Sequence, residues 1–287
     1  MKIKKMNKWI SLIAVILAFT SCQPDEPSGD GNGLSDSNVD ATFKISPDPI
    51  SPNKFNLEGS TANILQSKWI IDEIPYQGEL GVAKNIFLPD AGTYTILHTV
   101  MGRGGLTNTS SQQLVVQTSD PIAGNLVIDG KFPNGQGAWQ VLNISGTATN
   151  WSFAPGSATI NGSSNSQQGI YQAIQVEANR QYKLDMRVQG SGATDTWFEV
   201  FASTIAPVQN QDYNAGGGSP RMGLNTWGGC GNSQFDGKLS EIGCSGTGAT
   251  FSFPASGTIY LVIKSGGANL GTTGIKVSNV ELRGIPQ

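Results

Sequence analysis

The stretch GIYQAIQVEANRQYKLDMRVQG, Gly169 to Gly190, decides how the chain folds. Within it Tyr182, Leu184, Met186 and Val188 alternate with Lys183, Asp185, Arg187 and Gln189. A strand turns successive side chains to opposite faces, so the first set reads as core and the second as an outer face. The next segment, TWFEVFAS, repeats the period, with Phe198 and Val200 on one side and Trp197, Glu199 and Phe201 on the other. No long helical period follows residue 22; short alternating runs recur about every eight to twelve residues, separated by Gly, Pro, Asn and Asp. The expected fold is therefore all-β, built from antiparallel sandwiches, and the length suits two domains.

The chain begins MKIKKMNKWISLIAVILAFTSC, with four lysines ahead of an apolar run from Trp9 to Phe19. A positive start and a short apolar segment read as a secretory signal, and a transmembrane helix needs about 20 apolar residues. The ending AFTSC resembles a bacterial lipoprotein signal, which implies that residues 1–21 are removed and that Cys22 carries the lipid. Residues 22–39 are acidic, rich in Pro, Gly and Ser, and read as a disordered tether. An acidic patch just after the lipidated cysteine resembles the surface-export signal of Bacteroidetes lipoproteins. That resemblance implies an outer-membrane location facing the exterior.

Of the three cysteines, Cys230 and Cys244 remain, and an exported compartment permits a disulfide between them. The alternatives are two free thiols or a zinc site. The single histidine, His98, lies far from both cysteines, which counts against zinc. With the signal's four lysines gone, 14 Lys+Arg face 21 Asp+Glu, a formal charge of −7. That balance argues against nucleic acid, which calls for a basic stripe.

QTSDPIAGN, Gln117 to Asn125, marks the boundary between the domains. Before it, about seven short strands end in AGTYTILHTV and QLVVQ, and this arrangement looks like a PKD-type immunoglobulin-like domain over residues 40–118. The resemblance makes Trp69 its core tryptophan and AGTYTI its tyrosine corner. WIIDEI stands where that family usually carries its W-x-F-G-D-G turn, so no function tied to the turn is carried over. The domain reads as a spacer, and His98 as a structural residue.

Within residues 119–287, NLVIDGKFPNGQGAWQV from Asn125 is followed by WSFAPGSATIN and GTIYLVIKSGG and by a closing GIKVSNVELRG. The succession resembles the galactose-binding-like jelly roll of carbohydrate-binding modules of the family 4 and 9 type. Such modules often end in DNV with the aspartate on a structural calcium. Here the triplet is Ser278–Val280, which leaves Asp129 as a calcium ligand implied by the resemblance. No other cofactor is required.

If the two alternating strands are neighbours, Asp185, Arg187, Trp197 and Glu199 share one outer surface. Sugars suit such a mixture, stacking C–H faces on aromatic rings while their hydroxyls bond charged groups. The insertion QNQDYNAGGGSPRMGLNTWGGCGN follows the Trp197 strand. Its Tyr213, Arg221 and Trp227, clamped by Cys230–Cys244, form an aromatic platform in this reading, set before a ligand arrives. Trp227 could instead close the end of the sandwich. Trp151 is either core or part of the site, and Trp139 reads as core.

A lipid anchor, a spacer and a lectin-like jelly roll resemble the accessory binding proteins of Bacteroidetes polysaccharide-utilisation systems, which implies capture of a polysaccharide at the cell surface beside a Sus-type transporter and a surface glycoside hydrolase or lyase. A β-glucan such as laminarin is the first choice. Alginate is the rival, through Lys183, Arg187 and Arg221, and an adhesion role is a further alternative. Catalysis would need two carboxylates about 5–5.5 Å or 6.5–9.5 Å apart, for which Asp185 and Glu199 are the candidates. G-x-S-x-G is absent and only one histidine is present, so the chain is expected not to be an enzyme.

Overall fold

The computed structural model describes residues 38–286. The signal, Cys22 and nearly all of the tether lie outside the described residues. The chain divides into two compact units, one of residues 38–46, 55–86 and 94–114, the other of residues 47–54, 87–93 and 115–286.

The first unit is built on β1 (Phe43–Pro47), β2 (Lys54–Gly59), β3 (Ile64–Ile71), β4 (Ile74–Tyr76), β5 (Val82–Phe87), β6 (Gly92–Gly102) and β7 (Thr107–Val116). β1-β2-β5 make a three-stranded sheet and β4-β3-β6-β7 a four-stranded one. Trp69 and His98, opposed on β3 and β6, are both fully buried and stack at 3.9 Å. The His98 Nδ1–H donates to Ala41 O at 2.9 Å, and Nε2 lies 2.6 Å from Ser67 Oγ, placed to accept its proton. Both ring nitrogens are thus satisfied in the neutral form, and burial holds the imidazole below its ordinary pKa. The depressed folded-state pKa contributes stability above the unfolded value of about 6.5, and that stability is lost as pH falls below it. The thermal midpoint of this unit is expected to fall between pH 7 and pH 5, and the His98→Gln variant to lose that slope; an equal slope in both would refute the assignment.

The second unit contains β8 (Gln140–Ser145), β9 (Asn150–Ala154), β10 (Ser157–Asn161), β11 (Gln167–Val176), β12 (Gln181–Gly190), β13 (Thr194–Ser203), β14 (Met222–Asn225), β15 (Phe235–Lys238), β16 (Thr250–Ser252), β17 (Gly257–Asn269) and β18 (Ile275–Gly284). A short helix, α1 (Leu239–Ile242), lies between β15 and β16. A six-stranded sheet runs β15-β12-β18-β10-β9, with β16 also pairing β12, and a five-stranded sheet runs β14-β13-β17-β11-β8. The two form a jelly-roll sandwich. Leu184, Met186 and Val188 of β12 meet Phe198 and Val200 of β13 and Ile259, Leu261 and Ile263 of β17 in one core. Trp139 and Phe132 are fully buried there and stack at 5.6 Å.

The alternation in β12 and β13 is as expected, but their pairing is not. β12 hydrogen-bonds β15, β16 and β18, whereas β13 bonds β14 and β17. The connection at residues 191–193 carries the chain from one sheet to the other. Asp185 and Arg187 therefore lie on the opposite outer face from Trp197 and Glu199. The single surface expected for these four residues does not exist.

Candidate functional site

The outer face of the five-stranded sheet is set by cross-strand register. One row runs Asn225, Trp197, Gly266, Gln167 and the next runs Gly223, Glu199, Lys264, Gly169. Glycine at 266 lets the Trp197 ring lie against the sheet, since a Cβ there would sit 3.1 Å from Trp197 Cζ2. Lys264 is only 4% exposed, and its ammonium stands 4.8 Å over the Trp197 ring and 5.4 Å from that of Phe201. It pairs with Asp212 at 2.7 Å and lies 3.5 Å from Glu199. Burial raises the Glu199 carboxyl above its ordinary range, against the pull of Lys264.

Residues 204–221 form a strap over the rest of this face. Tyr213, expected at the ligand surface, is buried within it. Its ring meets Phe201 edge-on at 5.5 Å and its hydroxyl donates to Ile205 O at 2.8 Å. With Leu142, Ile144 and Val262 it closes a second apolar cluster outside the main core. An aromatic ring able to cover exposed leucine, isoleucine and valine is drawn onto them rather than held out in water. Tyr213 is therefore packing.

Trp151 takes the core side of its two readings. On β9 it points into the main core, 8% exposed, with its Nε1–H aimed at Gln168 O at 3.4 Å. Arg221 packs its guanidinium 4.4 Å over the Phe251 ring. Asp185 accepts from the Ser240 hydroxyl at 2.6 Å, at the start of α1, and Arg187 pairs with Asp236 at 2.7 Å. Asp129 sits in a turn at φ 52, its carboxylate accepting from Ala138 N–H at 3.0 Å. Its carbonyl accepts from Phe132 N–H and the Trp139 indole N–H. Calcium takes six to eight oxygens. Among the described residues no three His, Cys, Asp or Glu side chains converge.

Trp227 is different. It is 63% exposed, yet the backbone on both sides of it is fixed. It lies in a single 3₁₀ turn, Thr226–Gly228, capped by Asn225, whose Oδ1 accepts from Trp227 N at 3.0 Å and Gly228 N at 3.1 Å. Thr226 Oγ1 accepts from Thr196 N at 2.9 Å, which ties the turn to β13 beside Trp197. Asn232 Nδ2 donates to Thr226 O at 3.0 Å, and Gly229 leaves the turn at φ 90, where a side chain would be strained. The Cys230–Cys244 disulfide is formed, with the two Cα atoms 5.9 Å apart. The two tryptophans share one corner of the five-stranded sheet, Trp197 partly covered and Trp227 presented to solvent. Such a corner offers stacking and hydrogen bonds. Asp185 and Glu199, on faces separated by two sheets packed about 10 Å apart, do not form the carboxylate pair that glycoside hydrolysis would need.

The sequence reading missed Lys264. Its signal was available: one charge inside the apolar run IYLVIKSGG, at an outward position of the strand. Asp212, its partner, lies 52 residues away and carried no such signal.

No family model matches the chain, and no curated protein matches it by sequence. Solved structures that are similar to it include carbohydrate-binding modules of the β-sandwich superfamily, at 11% identity and a TM-score of 0.31, over 86% of this chain and 99% of that one. The carbohydrate-binding module CBM4 matches at 13% and 0.35, over 55% of this chain and 99% of that one. The enzymatically active domain of tailspike protein 4 of bacteriophage CBA120 matches at 13% and 0.34, and the chain spans only 23% of its length. At such scores the likeness carries no argument about function.

Proposed function

We propose that the second unit binds a neutral polysaccharide at the Trp227 corner, and that a lipid on Cys22 tethers the protein to the outside of the cell. The observation that carries the binding reading is Trp227 itself, an indole 63% exposed on a turn whose backbone is held by hydrogen bonds and a disulfide. Large aromatics are ordinarily covered, and an exposed, pre-set ring suits stacking on a sugar. Arg187 is taken up by Asp236 and Arg221 lies over Phe251, which favours a neutral polymer over a uronate one. A β-glucan such as laminarin is the first choice. Function is binding alone, with weak contacts multiplied along one polymer. The first unit is a spacer, and the captured polymer is passed to a Sus-type transporter after cutting by a surface hydrolase or lyase.

Affinity electrophoresis in gels containing laminarin or alginate tests this reading. Retardation by laminarin is expected, with none by alginate. Free migration in both gels would refute polysaccharide capture, and release of reducing sugar would refute binding alone. The anchor has its own test. Cys22→Ala is expected to move the protein from the membrane fraction to a soluble or precursor form, and unchanged membrane association would disprove lipidation.

A further inference from the structure

On the opposite side of the sandwich, the six-stranded sheet carries a row of polar side chains in register: Asp236 faces Gln189, Gln189 faces Lys276, and Lys276 faces Thr159. These four, with Thr273 and Phe235, line an open cavity of about 440 Å³. Gln189 donates its Nε2–H to Asp236 Oδ2 at 2.7 Å, and Arg187 donates to the same oxygen at 2.8 Å. The carboxylate is thereby held in one orientation while 41% of its side-chain surface stays open to water. Gly190 makes room for Phe235 on the inner side of the sheet, since a Cβ there would stand 2.5 Å from Phe235 Cζ, and the ring packs against the main core at the cavity's edge.

The chemistry of this cluster is specific. A carboxylate that accepts, an ammonium that donates and threonine hydroxyls that do both match neighbouring hydroxyls on one pyranose ring. A cavity of this size suits one or two sugar units. We infer that the six-stranded sheet holds a second carbohydrate subsite, for a neutral pyranose, formed by Gln189, Asp236, Lys276 and Thr159 on its outer face. It shares the carbohydrate reading given above but none of the residues of the Trp227 corner. Two sites on opposite faces let one molecule hold two polymer segments at once.

The test is a two-dimensional amide NMR titration of the full chain with β-1,3-linked and, separately, β-1,4-linked glucohexaose. Two groups of signals are expected to move: Asn225 to Gly229, and Gly190 to Ser191 together with Phe235 and the Gln189 side-chain amide. Lys276→Ala with Gln189→Ala is expected to weaken the second response about tenfold or more and leave the first unchanged. Both are exposed or half-exposed side chains, so the fold is kept, which the unshifted core amides verify. Trp227→Ala does the reverse. Movement of the first group alone overturns this inference and leaves the proposed function standing. Movement of the second alone supports the subsite and removes the Trp227 corner as the binding site. No movement with either probe overturns both.

Discussion

Trp227→Ala is expected to weaken polysaccharide binding by roughly 5- to 150-fold and to leave the thermal midpoint of the second unit within about 2 °C of wild type. The first figure corresponds to loss of a stacking platform worth about 1–3 kcal/mol, taking the stacking of bases on aromatic rings as the measure. The second follows from exposure: a side chain 63% open to solvent and outside the core clusters has little packing to lose. Opening the Cys230–Cys244 bond has a different profile. It relaxes a 14-residue loop, so about 3 kcal/mol of stability goes while affinity falls less than in Trp227→Ala. A binding isotherm and a melt on each variant separate the two. A large fall in melting temperature in Trp227→Ala, or unchanged binding, would remove the ring from the site.

Trp151→Ala is expected to do the opposite. Trp151 is 8% exposed and sits in the main core, and large-to-small changes of this kind cost about 3–5 kcal/mol. For a unit of this size that lowers the melting temperature by roughly 6–20 °C. Affinity of the folded fraction stays at the wild-type value. Calorimetry of the second unit's transition gives the first quantity, and titration well below the new midpoint gives the second. Weakened binding at an unchanged midpoint would return Trp151 to the ligand surface.

The contrast between these tryptophans shows what the sequence could and could not convey. The period of two in Tyr182–Gln189 and Thr196–Ser203 assigned inward and outward residues correctly, because side-chain direction is a local property of a strand. Leu184, Met186, Val188, Phe198 and Val200 are all in the core. Local period says nothing about which sheet a strand joins. Asp185 and Glu199, only 14 positions apart, consequently lie on opposite faces rather than on one. The same limit explains Tyr213. Its neighbours in sequence are polar, but its partners Leu142, Phe201 and Val262 arrive from three separate strands. The reading of Trp227 as exposed came closer, because the glycine-rich stretch leading into Cys230 has few apolar residues of its own to bury a ring.

The turn that carries Trp227 has a consequence for how such a protein can change over generations. Everything that holds the turn in place comes from Asn225, Thr226, Asn232, the main chain and the disulfide, and the indole supplies none of it. Position 227 is thus released from the selection that maintains the fold. A lineage can exchange this ring for a smaller one, or dispense with it, and still inherit an intact scaffold. The ring at this corner can thus change faster than the scaffold that presents it.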